Sequence, residues 1–184
     1  VGNAYKARFD RGGIQFTPAL GVHAPHNMPL RFTLQSVHRG TTQLLAPAAD
    51  APEATVAGNR VTYDRGAIDE HYDLRPAGVE QSFSFADPLA GDGDLVVRGK
   101  IDTELTPQRN ADGSWSYRLP EVGGVHYGVV TGVDAKGARV RGEIRCDGDA
   151  IELVLPDAFV DAASYPLVPD PLLGVEFLVP GSAN

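Results

Sequence analysis

From Ala138 to Cys146, charged side chains at Arg139, Arg141, Glu143 and Arg145 alternate with Val140, Gly142, Ile144 and Cys146. A two-residue period sets one face against a core and the other in water, so the stretch reads as a half-buried strand. Asp147-Gly148 follows, a residue pair that tolerates the positive φ angles of a two-residue hairpin turn. This predicts Cys146 opposite Asp149, with Ile144 facing Ile151, Gly142 facing Leu153 and Val140 facing Leu155. The preceding Asp134-Ala135-Lys136-Gly137 is expected to form a four-residue loop. That loop sets Val133 against Ala138, Thr131 against Val140, Val129 against Gly142 and Tyr127 against Ile144. The other register, Val133 against Arg139, would exchange the two faces. About 1.5 to 3 kcal/mol for each large side chain buried decides between them.

The same alternation recurs along the chain. Tyr5, Ala7 and Phe9 lead through Arg11-Gly12-Gly13 into Ile14-Gln15-Phe16, a first hairpin, and Thr17 to Pro29 is an aperiodic loop. Leu30, Phe32 and Leu34 begin a strand reaching about His38, and Leu45 to Ala57, rich in Ala and Pro, reads as a surface connection. Val61 and Tyr63 precede a turn at Asp64-Arg65-Gly66, after which Ile68, Glu70, Tyr72 and Leu74 share one face. Past Arg75-Pro76-Ala77-Gly78, the residues Val79, Gln81, Phe83 and Phe85 face inward. Leu95 to Leu105 is one long strand, with Gly99 marking a bulge or bend. Trp115, Tyr117 and Leu119 return an aromatic face; Pro156 to Ala163 makes a short helical turn. Tyr165 to Val168 is a final strand stopped by Pro169 and Pro171.

About a dozen short strands, frequent turn signals and no amphipathic helix predict an all-β antiparallel sandwich of two packed sheets, or alternatively a closed or partly open β-barrel. At 184 residues the chain suits one domain, 1–173, with 174–184 a tail or the start of a following module. Sixteen basic against twenty-four acidic side chains give a net charge of -8 without any block of like charge, which argues against a nucleic-acid partner. No apolar run approaches the roughly 20 residues that span a bilayer, so no membrane insertion is expected. The first residue is Val1 rather than Met, as expected of a processed product whose export signal is gone. The single Cys146 excludes an intramolecular disulfide and, being on the inward face, reads as a small core residue.

Three stretches carry a resemblance. Gly78-Val79-Glu80-Gln81-Ser82-Phe83, then Tyr127 followed by Asp134-Ala135-Lys136-Gly137, then Ala163-Ser164-Tyr165-Pro166-Leu167-Val168-Pro169-Asp170-Pro171-Leu172 stand in this order. Together they resemble a β-sandwich domain that precedes β-repeat arrays, propeller-like or FG-GAP-type, in large secreted bacterial proteins. The similarity covers roughly Val61 to Leu173. An apolar residue is usual in that family where Pro169 stands, and a Gly where Ser82 stands. The resemblance implies export to the extracellular space or cell surface, a non-catalytic modular role, and other modules of a larger parent, or other chains, as partners. It supplies no catalytic residues.

The residues themselves offer weaker chemistry. His23 and His26 have a spacing that can share a zinc ion, completed by Asp10 or Asp50, although no second matching pair exists. Asp87, Asp92 and Asp94, around Gly91 and Gly93, form an acidic Gly-rich loop of the kind that wraps calcium, or an ordinary solvated turn. Asp69, Glu70, His71, Asp73 and Glu80 are the best constellation for glycoside cleavage, but alternation puts all except Glu70 on the wet face. No nucleophile elbow, phosphate loop or dinucleotide fingerprint is present. The reading is therefore a module without cofactor, then a carbohydrate- or calcium-binding sandwich, then an enzyme. A sugar platform would need exposed aromatics, and the sole Trp115 is expected to face inward. Glu70, turned inward beside Tyr72 and Gln81, is expected to join a structural polar network. The Gln81 amide, the Tyr72 hydroxyl or a basic side chain from the facing sheet would satisfy it.

Overall fold

Alternating apolar and polar residues carry most of the chain into strands, and a computed structural model describes them over residues 4–46 and 52–177. In order they are β1 (Tyr5–Asp10), β2 (Gly13–Pro18), β3 (Leu30–Arg39), β4 (Thr42–Leu45), β5 (Thr55–Ala57), β6 (Arg60–Asp64), β7 (Asp69–Arg75), β8 (Gly78–Ser84) and β9 (Leu95–Thr103). There follow β10 (Thr106–Arg109), β11 (Trp115–Leu119), β12 (Gly123–Tyr127), β13 (Thr131–Val133), β14 (Arg139–Arg141), β15 (Glu143–Asp147), β16 (Ala150–Leu155), β17 (Val168–Asp170) and β18 (Leu172–Phe177). One short helix, α1 (Asp157–Ala162), and a 3-10 turn at Gly21–His23 complete the described elements.

The pairing is antiparallel throughout. One sheet runs β1-β2-β3-β9-β16-β15, with β4 also on β3; a second runs β10-β11-β12-β18-β8-β7-β6-β5; a small third is β14-β13-β17. The two large sheets face one another through buried and half-buried aromatics. Phe9 meets Tyr72 at 5.4 Å and Phe32 meets Phe83 at 6.2 Å between ring centroids, so the core lies between the layers. Among the described residues both sheets end in strands with no further partner, and the fold is a sandwich rather than a barrel.

The expected hairpin registers are corrected. Between β15 and β16, Ile144 faces Leu153 and Cys146 faces Ile151, so the turn is Gly148-Asp149 rather than Asp147-Gly148. Gly148 carries φ of +59° while Asp149 does not have a positive φ, which is the turn that needs glycine at its first central position. The pairing moves by two residues in all and the apolar face survives. Between β13 and β14, Val133 does face Arg139, and the expected four-residue loop is one residue longer. The reason is Asp134. Its Oδ1 accepts the N–H of Lys136 (2.9 Å) and of Ala138 (2.7 Å), closing a turn that includes Ala138. Gly132, not Val133, then points at Leu155 and Phe159, because the chain changes phase between buried Tyr127 and buried Val130.

Two further expectations change. Gly99 is not bulged: the irregularity sits in its partner β3, between Leu34 and Ser36, and Gly99 lets the Phe32 ring lie where a Cβ would stand 2.1 Å away. Nor does the domain stop at 173. Pro169 and Pro171 do not end pairing, since Pro169 lies on β17, which pairs only with β13, and the Pro171 carbonyl still accepts from Gln81 N–H at 3.0 Å. Leu172–Phe177 then forms β18 inside the second sheet, between β12 and β8. Residues 178–184 of the expected tail lie outside the described residues.

Candidate functional site

Strand alternation turns Glu70 and Tyr72 of β7 inward beside Gln81 of β8, with Tyr72 directly opposite Gln81 and Glu70 opposite Phe83. Glu70 is fully buried. Its Oε1 accepts the Tyr72 hydroxyl, and its Oε2 accepts Arg65 Nε at 2.7 Å and Nη2 at 2.5 Å. The Tyr72 hydroxyl in turn accepts from Gln81 Nε2 at 3.1 Å, and Gln81 Oε1 accepts the Tyr127 hydroxyl. A continuous chain Arg65–Glu70–Tyr72–Gln81–Tyr127 thus links a turn to β7, β8 and β12. The basic partner comes from the β6–β7 turn, not from the facing sheet. Asp64 Oδ1 accepts Gly66 N–H at 2.8 Å and tightens that turn, laying the Arg65 guanidinium 5.5 Å over the Tyr63 ring. Burial first, and then the negative charge of Glu70, push the Tyr72 hydroxyl far above the ordinary tyrosine range and Tyr63 up to about 12. Burial also raises Tyr127. These phenols therefore stay protonated donors, and Glu70, Tyr72, Gln81 and Tyr127 form a fully buried cross-link with Arg65 at its solvent end.

The opposite face of the same hairpin holds the carboxylates considered for catalysis. Asp73 takes Arg60 on two bonds of 2.8 and 2.6 Å, which hold its carboxyl below the usual range. His71 Nδ1 lies 2.9 Å from Thr62 Oγ1, and burial together with Arg60 lowers its basicity. Glu80 pairs with Arg75. Sequence reading missed a neighbour, Asp170, at the end of β17. Leu172 faces Glu80 and Pro171 binds Gln81 N–H, so this segment runs along β8 and brings the half-buried Asp170 against Glu80. Burial, and then the charge of Glu80, push Asp170 up to about 7. Its signal in the sequence was an acid fixed between two prolines.

The acidic loop is organised by a cation of the protein. The bulge in β3 shifts the strand's phase and turns Arg39 inward, 5% exposed. Arg39 donates to the carbonyls of Leu89 (3.0 Å) and Gly93 (3.4 Å), to Asp157 Oδ1 (3.0 Å) and to Asp161. Asp94 accepts the backbone N–H of Asp157 at 3.0 Å, whereas Asp87 and Asp92 are exposed. Among the described residues, no three His, Cys, Asp or Glu side chains converge as metal ligands. His26 pairs with Glu104 at 3.1 Å, and Asp10 is held by Arg31; Asp50 and the His23 side chain lie outside the described residues. Cys146 is half-buried beside the Tyr117 hydroxyl, and burial raises its thiol. Trp115 packs on the core and donates to the Ile144 carbonyl at 3.2 Å.

The three stretches that carry the resemblance lie together in space. Asp134 Oδ2 accepts Ser164 N–H at 3.0 Å, Ala135 N–H donates to Ser164 C=O at 2.9 Å, and Pro171 meets Gln81. No protein-family model, no curated protein and no solved structure matches the chain.

Proposed function

We propose that this chain is a non-catalytic structural or interaction module of a secreted or cell-surface bacterial protein, working beside other modules of its parent or other chains. The observation that supports this reading is the saturation of its polar interior. Glu70 is fully buried and already takes Arg65 and Tyr72, and every buried side-chain nitrogen or oxygen among the described residues has a partner. A general acid must reach its substrate, and a ligand pocket keeps convergent polar groups for the ligand to satisfy. Here those groups satisfy one another and hold strands in register.

The test uses the purified chain with a panel of nitrophenyl glycosides, and melting curves with and without millimolar calcium. The expected result is no turnover above the blank and superimposable melts. Turnover that disappears in Glu80→Gln, or a melting temperature that rises with calcium, would overturn the proposal.

A further inference from the structure

We propose that the free edge of β1 is a docking site for an extended segment of a partner in which apolar and acidic side chains alternate. The inference rests on the module reading and names where such a partner would bind. Among the described residues β1 is the outermost strand of its sheet. The Ala19 N–H donates to the Ala4 carbonyl at 2.9 Å, and this sets the phase of the ladder. Because bonded and non-bonded pairs alternate in an antiparallel ribbon, Lys6 and Arg8 aim their amides and carbonyls at β2, while Tyr5, Ala7 and Phe9 aim theirs away from the sheet. No described backbone group outside the ladder bonds to that outward row. It is a template for one more strand.

The walls beside the edge specify the strand. A cleft of about 460 Å³ runs between Ala4–Ala7 and the residues Leu74, Arg75 and Pro76 of the β7–β8 hairpin, and the Tyr5 hydroxyl ties its two sides together through the carbonyls of Arg75 (2.7 Å) and Gly78 (2.9 Å). Inward side chains of an added strand would meet Ala7, Leu74 and Pro76, an apolar surface. Outward ones would lie beside Lys6 and Arg8, which are exposed and form no ion pair with a described residue. Opposite charges across adjacent strands attract, so those positions call for Asp or Glu. A second copy of this chain fits poorly, because edge-to-edge pairing about Ala7 would set Lys6 against Arg8 twice.

The experiment titrates the isotopically labelled chain with an eight-residue Val-Glu alternating peptide and, separately, with its Val-Lys counterpart, reading backbone amide shifts. The Glu peptide should move the amides of Tyr5, Ala7 and Phe9, and bind about tenfold or more tightly than the Lys peptide. Charge reversal in K6E/R8E should invert that preference. Ala7→Pro removes one outward donor without touching the bonds to β2 and should abolish binding. Equal response to both peptides, shifts away from β1, no shift at all, or self-association of the chain through this edge would each overturn the docking site. Any of these together with blank glycosidase assays and superimposable calcium melts leaves the module reading standing; glycoside turnover or calcium stabilisation overturns that reading.

Discussion

Replacing Glu70 with alanine should be among the most damaging single changes in this domain. The substitution removes the acceptor of an Arg65 guanidinium that is itself only 8% exposed, and of a Tyr72 hydroxyl that is wholly buried. Breaking a buried pair by deleting one partner costs roughly 3 to 5 kcal/mol, much of it the desolvation of the charge left behind. The stranded hydroxyl belongs to the same loss, so about 3 to 5 kcal/mol is the expected total, a large share of the roughly 5 to 15 kcal/mol that holds a domain folded. Glu80→Ala on the outer face is the control. It gives up a surface pair with Arg75 worth about 0 to 1 kcal/mol and relieves Asp170, for a net change under about 0.5 kcal/mol. Guanidinium melts at pH 7, followed by Trp115 fluorescence and circular dichroism, give both values. A third variant, R65M/E70M, should recover more than half of the Glu70→Ala loss, since both charges then leave together. Equal small losses for Glu70→Ala and Glu80→Ala, with unchanged slopes, would mean that Glu70 reaches water and that the cross-link does not hold the sheet.

Asp170 predicts an unusual pH dependence. Its folded pKa of about 7 lies above its unfolded value, so the folded state holds the extra proton from about pH 4 to 7; the stability this group contributes is complete below that window and lost as pH rises through about 7. Denaturation midpoints should therefore fall between pH 5 and 8 in the wild type and stay flatter in Asp170→Asn, which should be the more stable protein at pH 8; parallel profiles would refute the assignment. Gly99→Ala would place a Cβ 2.1 to 3.0 Å from the Phe32 ring, and overpacking of this kind should cost about 1 to 3 kcal/mol in a thermal melt. An unchanged melt would show that Phe32 can move aside freely.

Residues within one hairpin were legible because alternation and local turns act over a few positions. The inward Glu70, its Tyr72 neighbour and the placing of Gln81 opposite Tyr72 follow from counting across one turn, although Gln81 reaches Glu70 only through the Tyr72 hydroxyl. What counting could not reach was any place where the backbone changes phase. The bulge in β3 turns Arg39 inward, and no local pattern announces a cation whose partners lie at Asp157 and Asp161. The break between Tyr127 and Val130 likewise sends β12 and β13 to different sheets, which alternation alone reads as one strand. Asp134 shows the same limit in a turn: a side chain capturing two amides lengthened a loop that composition reads as shorter. Asp170 reaches Glu80 only because β17 leaves one sheet for another, a matter of topology.

The place of β18 has a consequence for the order in which this molecule can assemble during synthesis. Its neighbours, β8 and β12, are made well before it, yet they are joined only through Leu172–Phe177. Until that segment leaves the ribosome the larger sheet exists as two halves, each with an unsatisfied row of amides and carbonyls along a strand destined for the middle. Such closure over a long span of chain is slow, and open central strands invite pairing with the wrong partner. Mispairing of the nascent chain is therefore expected along β8 and β12 until β18 has been made.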